Sequence, residues 1–312
     1  MNLSDSLLVD HDLVEPKNDV VYLQQPVSSR VRDCMAMLGN EERILPAYFA
    51  ALTADQPGAL VELGCYLGGS SLSLLDGLSQ RGCLTSSSFP ALYTFDLFEA
   101  TDYMVEHSLH RFGIASGESF FPAYQQQLGD WFNYVKCTSG TILDFTWPPE
   151  PIKILYVDIL WSWEINQYVF DQFMRRLVKG AFVIHQDYVY SLYPWLPVMM
   201  EWLVEKGYFC FRSFAPYSTV AFECLRSPSD LPAGFRFDSD ISLERKETLI
   251  RTSASRFVGY PRTLLTLSLC ALWSQFGEQE MMEKLLDEIE AGELHPLEKE
   301  HVQLVRESCS TS

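Results

Sequence analysis

Five short apolar runs alternate with helical patterns through the middle of the chain, and three of them stop at an aspartate. The runs cover residues 59–63, 91–95, 133–137, 152–157 and 181–184, and helical periodicity appears at 70–78, 167–178 and 195–206. Two further stretches, 208–211 and 219–222, read as a closing hairpin. This rhythm constrains the fold more than any other feature, because strand–helix–strand units make parallel strands with helices covering both faces. The predicted fold is α/β: a seven-stranded, mostly parallel sheet with helices on both sides. Such sheets bind ligands outside the carboxyl ends of their strands. Asp96, Asp158 and Asp187 all end strands, so a site is expected at that edge.

The 312 residues exceed what this core needs. Residues 1–54 read as an acidic arm followed by a helical cap, whose apolar face (Met35, Leu38, Ile44, Leu45, Phe49, Leu52) is interrupted at Gly39 and Pro46. Residues 55–226 form the predicted core. In 227–312 the alternation stops at Pro228, Pro232 and Gly234, and two or three amphipathic helices follow. They are expected to pack on the core or to form a dimer surface, which makes the chain a candidate homo-oligomer.

Composition excludes several partners. Acidic residues number 41 against 23 basic ones, a formal net charge of −18. A chain this acidic repels phosphate backbones and anionic lipid, so no nucleic acid and no membrane is expected as a partner. Asp5, Asp10, Asp12, Glu15 and Asp19 give the first segment the wrong charge for an export leader. The longest apolar stretch, 264–273, is about half of what a bilayer crossing needs. A cytoplasmic protein is expected. The eight cysteines form no C-x-x-C pair and read as buried free thiols, and the histidines do not fall at zinc-ligand spacing with them.

The stretch that carries chemistry is residues 61–71, where a strand runs through Gly64, Gly68 and Gly69 into a helix that opens with Ser70 and Ser71. Glycines let a turn approach a ligand closely, and the helix start offers free N–H groups to a carboxylate or phosphate. Glu62 separates those two ligand classes: it would repel a pyrophosphate and attract the ammonium of an amino acid. The spacing is also G-x-x-x-G-G, not the dinucleotide G-x-G-x-x-G. Asp96 ends the next strand, where an acid commonly grips ribose hydroxyls. S-adenosylmethionine answers both demands.

In combination, Glu62-Leu63-Gly64, Gly68-Gly69-Ser70-Ser71 and Thr94-Phe95-Asp96-Leu97-Phe98-Glu99 resemble the class I S-adenosylmethionine-dependent methyltransferases. They are most similar to the macrocin/mycinamicin sugar O-methyltransferase group and its cephalosporin-hydroxylase-like relatives. The likeness runs through 154–158 and 180–188 and covers roughly residues 55–225. It implies a Rossmann-like fold in which Glu62, Gly64, Tyr66, Gly68, Ser70 and Ser71 line the methionine end of the cofactor. It also implies that Asp96 binds the ribose and that Gly140 and Thr141 border the adenine.

Many members of that group hold Mg²⁺ on acids at the fourth and fifth strand ends, and Asp158 and Asp187 match two of those positions. The usual D-x-D is here Asp158-Ile159-Leu160, and the paired acids are Gln186-Asp187. Gln186 offers only a neutral carbonyl, whereas Mg²⁺ prefers carboxylates. Without a metal the acceptor hydroxyl needs a side-chain base. Strand alternation sends His185 and Asp187 to one side, so an Asp187-oriented His185 is the candidate, set against a hydrogen-bonded interior histidine. Catalytic roles are therefore expected of His185, Asp187 and Asp158.

Aromatic residues crowd the presumed mouth, with Trp161 and Trp163 after Asp158 and Tyr188 and Tyr190 after Asp187. They suit a small-molecule acceptor, a sugar or an aromatic natural product. Residues 24–32 are a candidate lid, with Arg30 or Arg32 meeting an anionic acceptor. Two other readings stay open: a non-catalytic scaffold acting through its C-terminal helices, and a nicotinamide-dependent dehydrogenase, which Glu62 and the missing G-x-G-x-x-G oppose.

Overall fold

The computed structural model describes residues 20–85 and 88–309. Most of the expected acidic arm, residues 1–19, lies outside them. The arm's end does not stand free: Val21–Gln24 is a 3-10 turn, and buried Tyr22 donates its hydroxyl to the Phe214 carbonyl at 3.0 Å.

Seven strands form one sheet in the order β3-β2-β1-β4-β5-β7-β6. They are β1 (Ala59–Leu63), β2 (Leu92–Asp96), β3 (Val135–Ser139), β4 (Ile152–Val157), β5 (Leu177–His185), β6 (Phe209–Ala215) and β7 (Thr219–Cys224). β1 to β5 pair in parallel, and β7 runs antiparallel between β5 and β6. The predicted sheet is therefore found. Its order reverses between β1 and β4, which is where sheets of this kind open a crevice for ligands.

The helices are α1 (Ser29–Asp33), α2 (Asn40–Leu52), α3 (Gly69–Gln80), α4 (Asp102–His107), α5 (Phe121–Leu128), α6 (Trp163–Gln172), α7 (Trp195–Glu205), α8 (Leu243–Ala254), α9 (Tyr260–Phe276), α10 (Gln279–Glu290) and α11 (Pro296–Cys309). Every residue of β1 and β4 is buried, as helices on both faces require. Val61, Leu63, Leu155, Val157 and Val183 enter the core on one face; Leu60, Ile154, Tyr156 and Ile184 enter the core on the other. The period of two thus survives inside runs that are buried throughout, Glu62 and Lys153 included. Glu62 lies level with Thr94 on β2 and Tyr156 on β4, so the loops after these strands meet.

Several boundaries moved, among them the start of β5 at Leu177, inside the helix expected to run to 178. The helix expected at 167–178 is α6, which starts earlier because the Ser162 hydroxyl accepts the Ile165 N–H at 3.2 Å as an N-cap. The third strand starts two residues later than its apolar run. The C-terminal region holds four helices, and α8 falls in the expected linker. Its charged sequence hides its apolar stripe, of which Leu249, Ile250 and Ala254 are buried.

α8 to α11 share one core with the sheet: Leu249, Leu264, Leu272 and Val305 belong to the same apolar cluster as Val157 and Val183. Buried Glu201 on α7 receives both guanidinium arms of Arg256 at 2.7 Å. All eight cysteines are free thiols. Among the described residues, no helix is long and apolar enough to cross a membrane.

Candidate active site

The glycine turn after β1 is built as the sequence requires. Gly64 has φ +83°, and a Cβ there would sit 2.5 Å from the Asp158 carbonyl oxygen. Gly68 has φ +88°, and its Cβ would meet Leu128 at 2.4 Å. Both positions disfavour side chains by conformation, and at Gly64 the clash is with backbone, which leaves no room to give. Tyr66 also takes a left-handed backbone, φ +43°. It is held there from outside: its hydroxyl bonds Ser108, and its ring lies edge-on to Phe120 at 5.4 Å.

Asp96 organises this turn. One carboxylate oxygen accepts the backbone N–H groups of Cys65 and Tyr66 at 2.9 Å each, and the other accepts Phe98 N–H at 2.9 Å. The second oxygen therefore keeps a lone pair free at the strand end. Burial raises the Asp96 carboxyl, and these backbone donors oppose the shift. The Asp96 carbonyl in turn accepts Gly140 N–H at 3.0 Å, which brings the β3 loop alongside. Gly140 has φ +130° with open space where a Cβ would be, while exposed Thr141 caps the short turn that follows.

Glu62 sits in the floor. Ser71 donates to one of its oxygens at 2.5 Å and also lies 3.2 Å from the Tyr124 hydroxyl. The other oxygen, Oε1, is buried with no partner. Burial pushes the Glu62 carboxyl up to about 7, with the Ser70 and Ser71 hydroxyls opposing and Asp96 adding to it. An orphaned buried carboxylate oxygen is costly unless a donor or a cation arrives. Gln127, which the sequence did not single out, clamps the turn by donating to the Leu67 carbonyl at 2.6 Å and pairing with the Met35 backbone.

The acceptor side differs from expectation. His185 ends β5 and is fully buried against Tyr188 and Phe222, with neither ring nitrogen hydrogen-bonded. Burial lowers it to about 3. It is neither the Asp-oriented base nor the hydrogen-bonded interior histidine. The strand stops at His185, and Asp187 has φ +57°, so alternation no longer governs where Asp187 points. Asp187 instead accepts from Ser218 at 3.2 Å.

Gln186 is turned into a buried network. Its amide oxygen accepts from Tyr156 at 3.0 Å and from Thr219, and its amide nitrogen donates to Glu42 on α2 at 3.2 Å. It is not placed to give a carbonyl to a metal beside Asp158. Among the described residues no group of three or more His, Cys, Asp or Glu is arranged to hold one. Asp158 and Asp187 do share a neighbourhood. Burial and then Asp187 hold Asp158 well above the carboxylate range, and burial raises Asp187. Glu42, also missed, is raised to about 7 by burial while Gly39 N–H and Thr219 bind it.

The aromatic residues divide. Trp163 donates to Gln275 at 2.8 Å and Tyr188 bonds Ser253 at 2.9 Å, so both join the sheet to the C-terminal helices. Trp161 is 52% exposed, and Tyr190 is half-buried beside Tyr193 at 4.7 Å between rings. The expected lid arginines are engaged: Arg30 pairs Asp130 at 2.6 Å and covers Trp131, and Arg32 bonds the Val27 carbonyl.

Residues 61–188 match the family model described as a methyltransferase domain. The matched stretch runs from β1 to the turn after β5 and so includes the glycine turn and the ends of β1, β2 and β4. The solved structures it resembles include the O-methyltransferase NovP, at 17% identity and TM-score 0.47, covering 61% of this chain and 82% of that one. CalS11, a TDP-rhamnose 3'-O-methyltransferase of calicheamicin biosynthesis, matches at 14% and 0.42 over 58% and 77%. TomG of Streptomyces achromogenes, an O-methyltransferase of tomaymycin synthesis, matches at 14% and 0.41 over 67% and 97%. A comparison with curated protein sequences returns no significant match.

Proposed function

We propose that the protein is an S-adenosylmethionine-dependent O-methyltransferase acting on a hydroxyl of a sugar or other small natural product. The observation that carries the cofactor is the buried, partnerless Oε1 of Glu62 beside a glycine turn that Asp96 holds in shape. A ligand ammonium would meet that oxygen and bring Glu62 back to its charged form. Asp96 keeps a lone pair for a ribose hydroxyl, and Gly140 leaves a face open beside it. When bound, S-adenosylmethionine supplies an electrophilic methyl group on a sulfonium.

The chain's own work is alignment, desolvation and removal of a proton. Asp187, raised by burial and close enough to Asp158 to raise it too, is the base that takes the acceptor's hydroxyl proton. His185, low in pKa and enclosed, takes no part. The residues do not fit a Mg²⁺ site, so no step depends on one. The acceptor class rests on the motif resemblance together with the exposed Trp161 and the Tyr190–Tyr193 pair on the mouth side.

The test is transfer of a labelled methyl group to a panel of methyl glycosides, catechols and amines, run with wild type and Asp187→Asn. Labelled ether product in wild type, falling roughly a hundredfold in the variant, supports the reading. Label on nitrogen acceptors only, or full activity in Asp187→Asn, contradicts it.

A further inference from the structure

We infer that the C-terminal helix α11 is part of the acceptor side of the site, with His301 positioning the turn that carries Asp187, Tyr190 and Tyr193. This rests on the methyltransferase reading for what the site does, and on contacts of its own for how it is held. The turn is short and internally tied: Tyr190 N–H bonds the Asp187 carbonyl at 3.0 Å, and Tyr193 N–H bonds the Tyr190 carbonyl at 3.1 Å. It starts from a left-handed Asp187, φ +57°, a backbone state that persists only where its surroundings over-determine it.

α11 supplies part of that surrounding. The Ser191 hydroxyl, fully buried, donates to His301 Nδ1 at 2.7 Å, from a residue 110 positions away. The His301 ring meets Tyr190 edge-on at 5.0 Å and 74°. Burial lowers His301 to about 4, so the ring is neutral, and the Ser191 N–H that also reaches Nδ1, at 3.5 Å, makes Nδ1 the acceptor. On the far side of the turn, Tyr193 stacks on Trp195 at 5.3 Å, and the Trp195 indole donates to the Leu160 carbonyl at 2.7 Å in the loop that follows Asp158. The turn is thus fixed between the Asp158 loop and α11. Glu300, the preceding residue of α11, adds its charge to the surroundings of the Tyr190 hydroxyl together with Asp187. A segment that sequence patterning assigns to packing or dimerisation therefore also shapes where an acceptor would sit.

The test uses full-length wild type, His301→Ala and His301→Asn, whose amide oxygen can replace Nδ1 as the acceptor for Ser191. Methyl rhamnoside is the kinetic probe, and amide hydrogen exchange is measured with and without S-adenosylhomocysteine. His301→Ala should speed exchange in residues 187–193 and raise the probe KM about tenfold, with kcat and S-adenosylhomocysteine affinity within about threefold. His301→Asn should restore both. Unchanged exchange, faster exchange spread across α7 to α11, or an unchanged KM with a loosened turn would each overturn the inference. A wild type that binds no S-adenosylhomocysteine and methylates nothing overturns the methyltransferase reading instead, and the exchange pattern still decides the His301 contact.

Discussion

Asp96 reaches back from the end of β2 to Tyr66, whose backbone N–H it accepts at 2.9 Å with the neighbouring Cys65 N–H on the same oxygen. One carboxylate shapes the β1 turn, and the proposed function also gives it a ribose hydroxyl to bind. Asp96→Ala should weaken S-adenosylhomocysteine binding by more than ~1.4 kcal/mol, the tenfold step. Calorimetric titration of the folded variant checks this, and an unchanged affinity would remove Asp96 from the cofactor site.

Glu62 and Glu42 make the unliganded protein lose stability as pH rises from about 4.5 to about 7. Both carboxyls rise from 4.5 to about 7 on folding, chiefly by burial. An acid with a raised folded pKa favours its protonated form in the native state. Its contribution is complete below about 4.5 and is lost as pH rises through about 7. Glu62→Gln should therefore flatten the fall in urea midpoint between those values, removing on the order of 3 kcal/mol of pH dependence. A variant that tracks wild type across that window would show that Glu62 titrates normally.

His185 gives the opposite sign. Its folded pKa lies near 3 against 6.5, so the neutral ring is favoured and stability is lost as pH falls through that range. His185→Leu replaces an unsatisfied polar ring among Tyr188 and Phe222 with an apolar side chain. It should raise acid stability and leave turnover within about threefold. A collapse of kcat without loss of fold would return His185 to the catalytic set.

The tail is anchored by charge as well as by apolar contact. Arg256→Ala would leave Glu201, 0% exposed, without its cation. The cost should be about 3 kcal/mol, the low end for a broken buried pair because the arginine is part-exposed. Chemical denaturation measures it. A loss below about 1 kcal/mol would place the pair with ordinary surface bridges.

Much of this molecule was legible in its sequence for identifiable reasons. β1 and β4 begin and end where their apolar runs do, because strands buried on both faces read as near-continuous apolar segments, broken here only by Glu62 and Lys153. Gly64 and Gly68 were legible because both take a left-handed backbone that favours glycine, and at Gly64 a Cβ would also strike the Asp158 carbonyl. What the sequence did not reveal depends on contacts between distant residues. Glu42, Gln127 and His301 act on partners 177, 60 and 110 positions away, contacts that local spacing does not show. α8 escaped because its charged residues outweigh its buried stripe. His185 misled because alternation was carried two residues past the end of its strand, where the backbone had already turned.

The most direct test of the central claim is calorimetric titration of the intact protein with S-adenosylhomocysteine, with NAD as the control. The account predicts micromolar affinity for S-adenosylhomocysteine and none for NAD. Binding of NAD instead, or of neither, would contradict the roles given to Glu62 and Asp96.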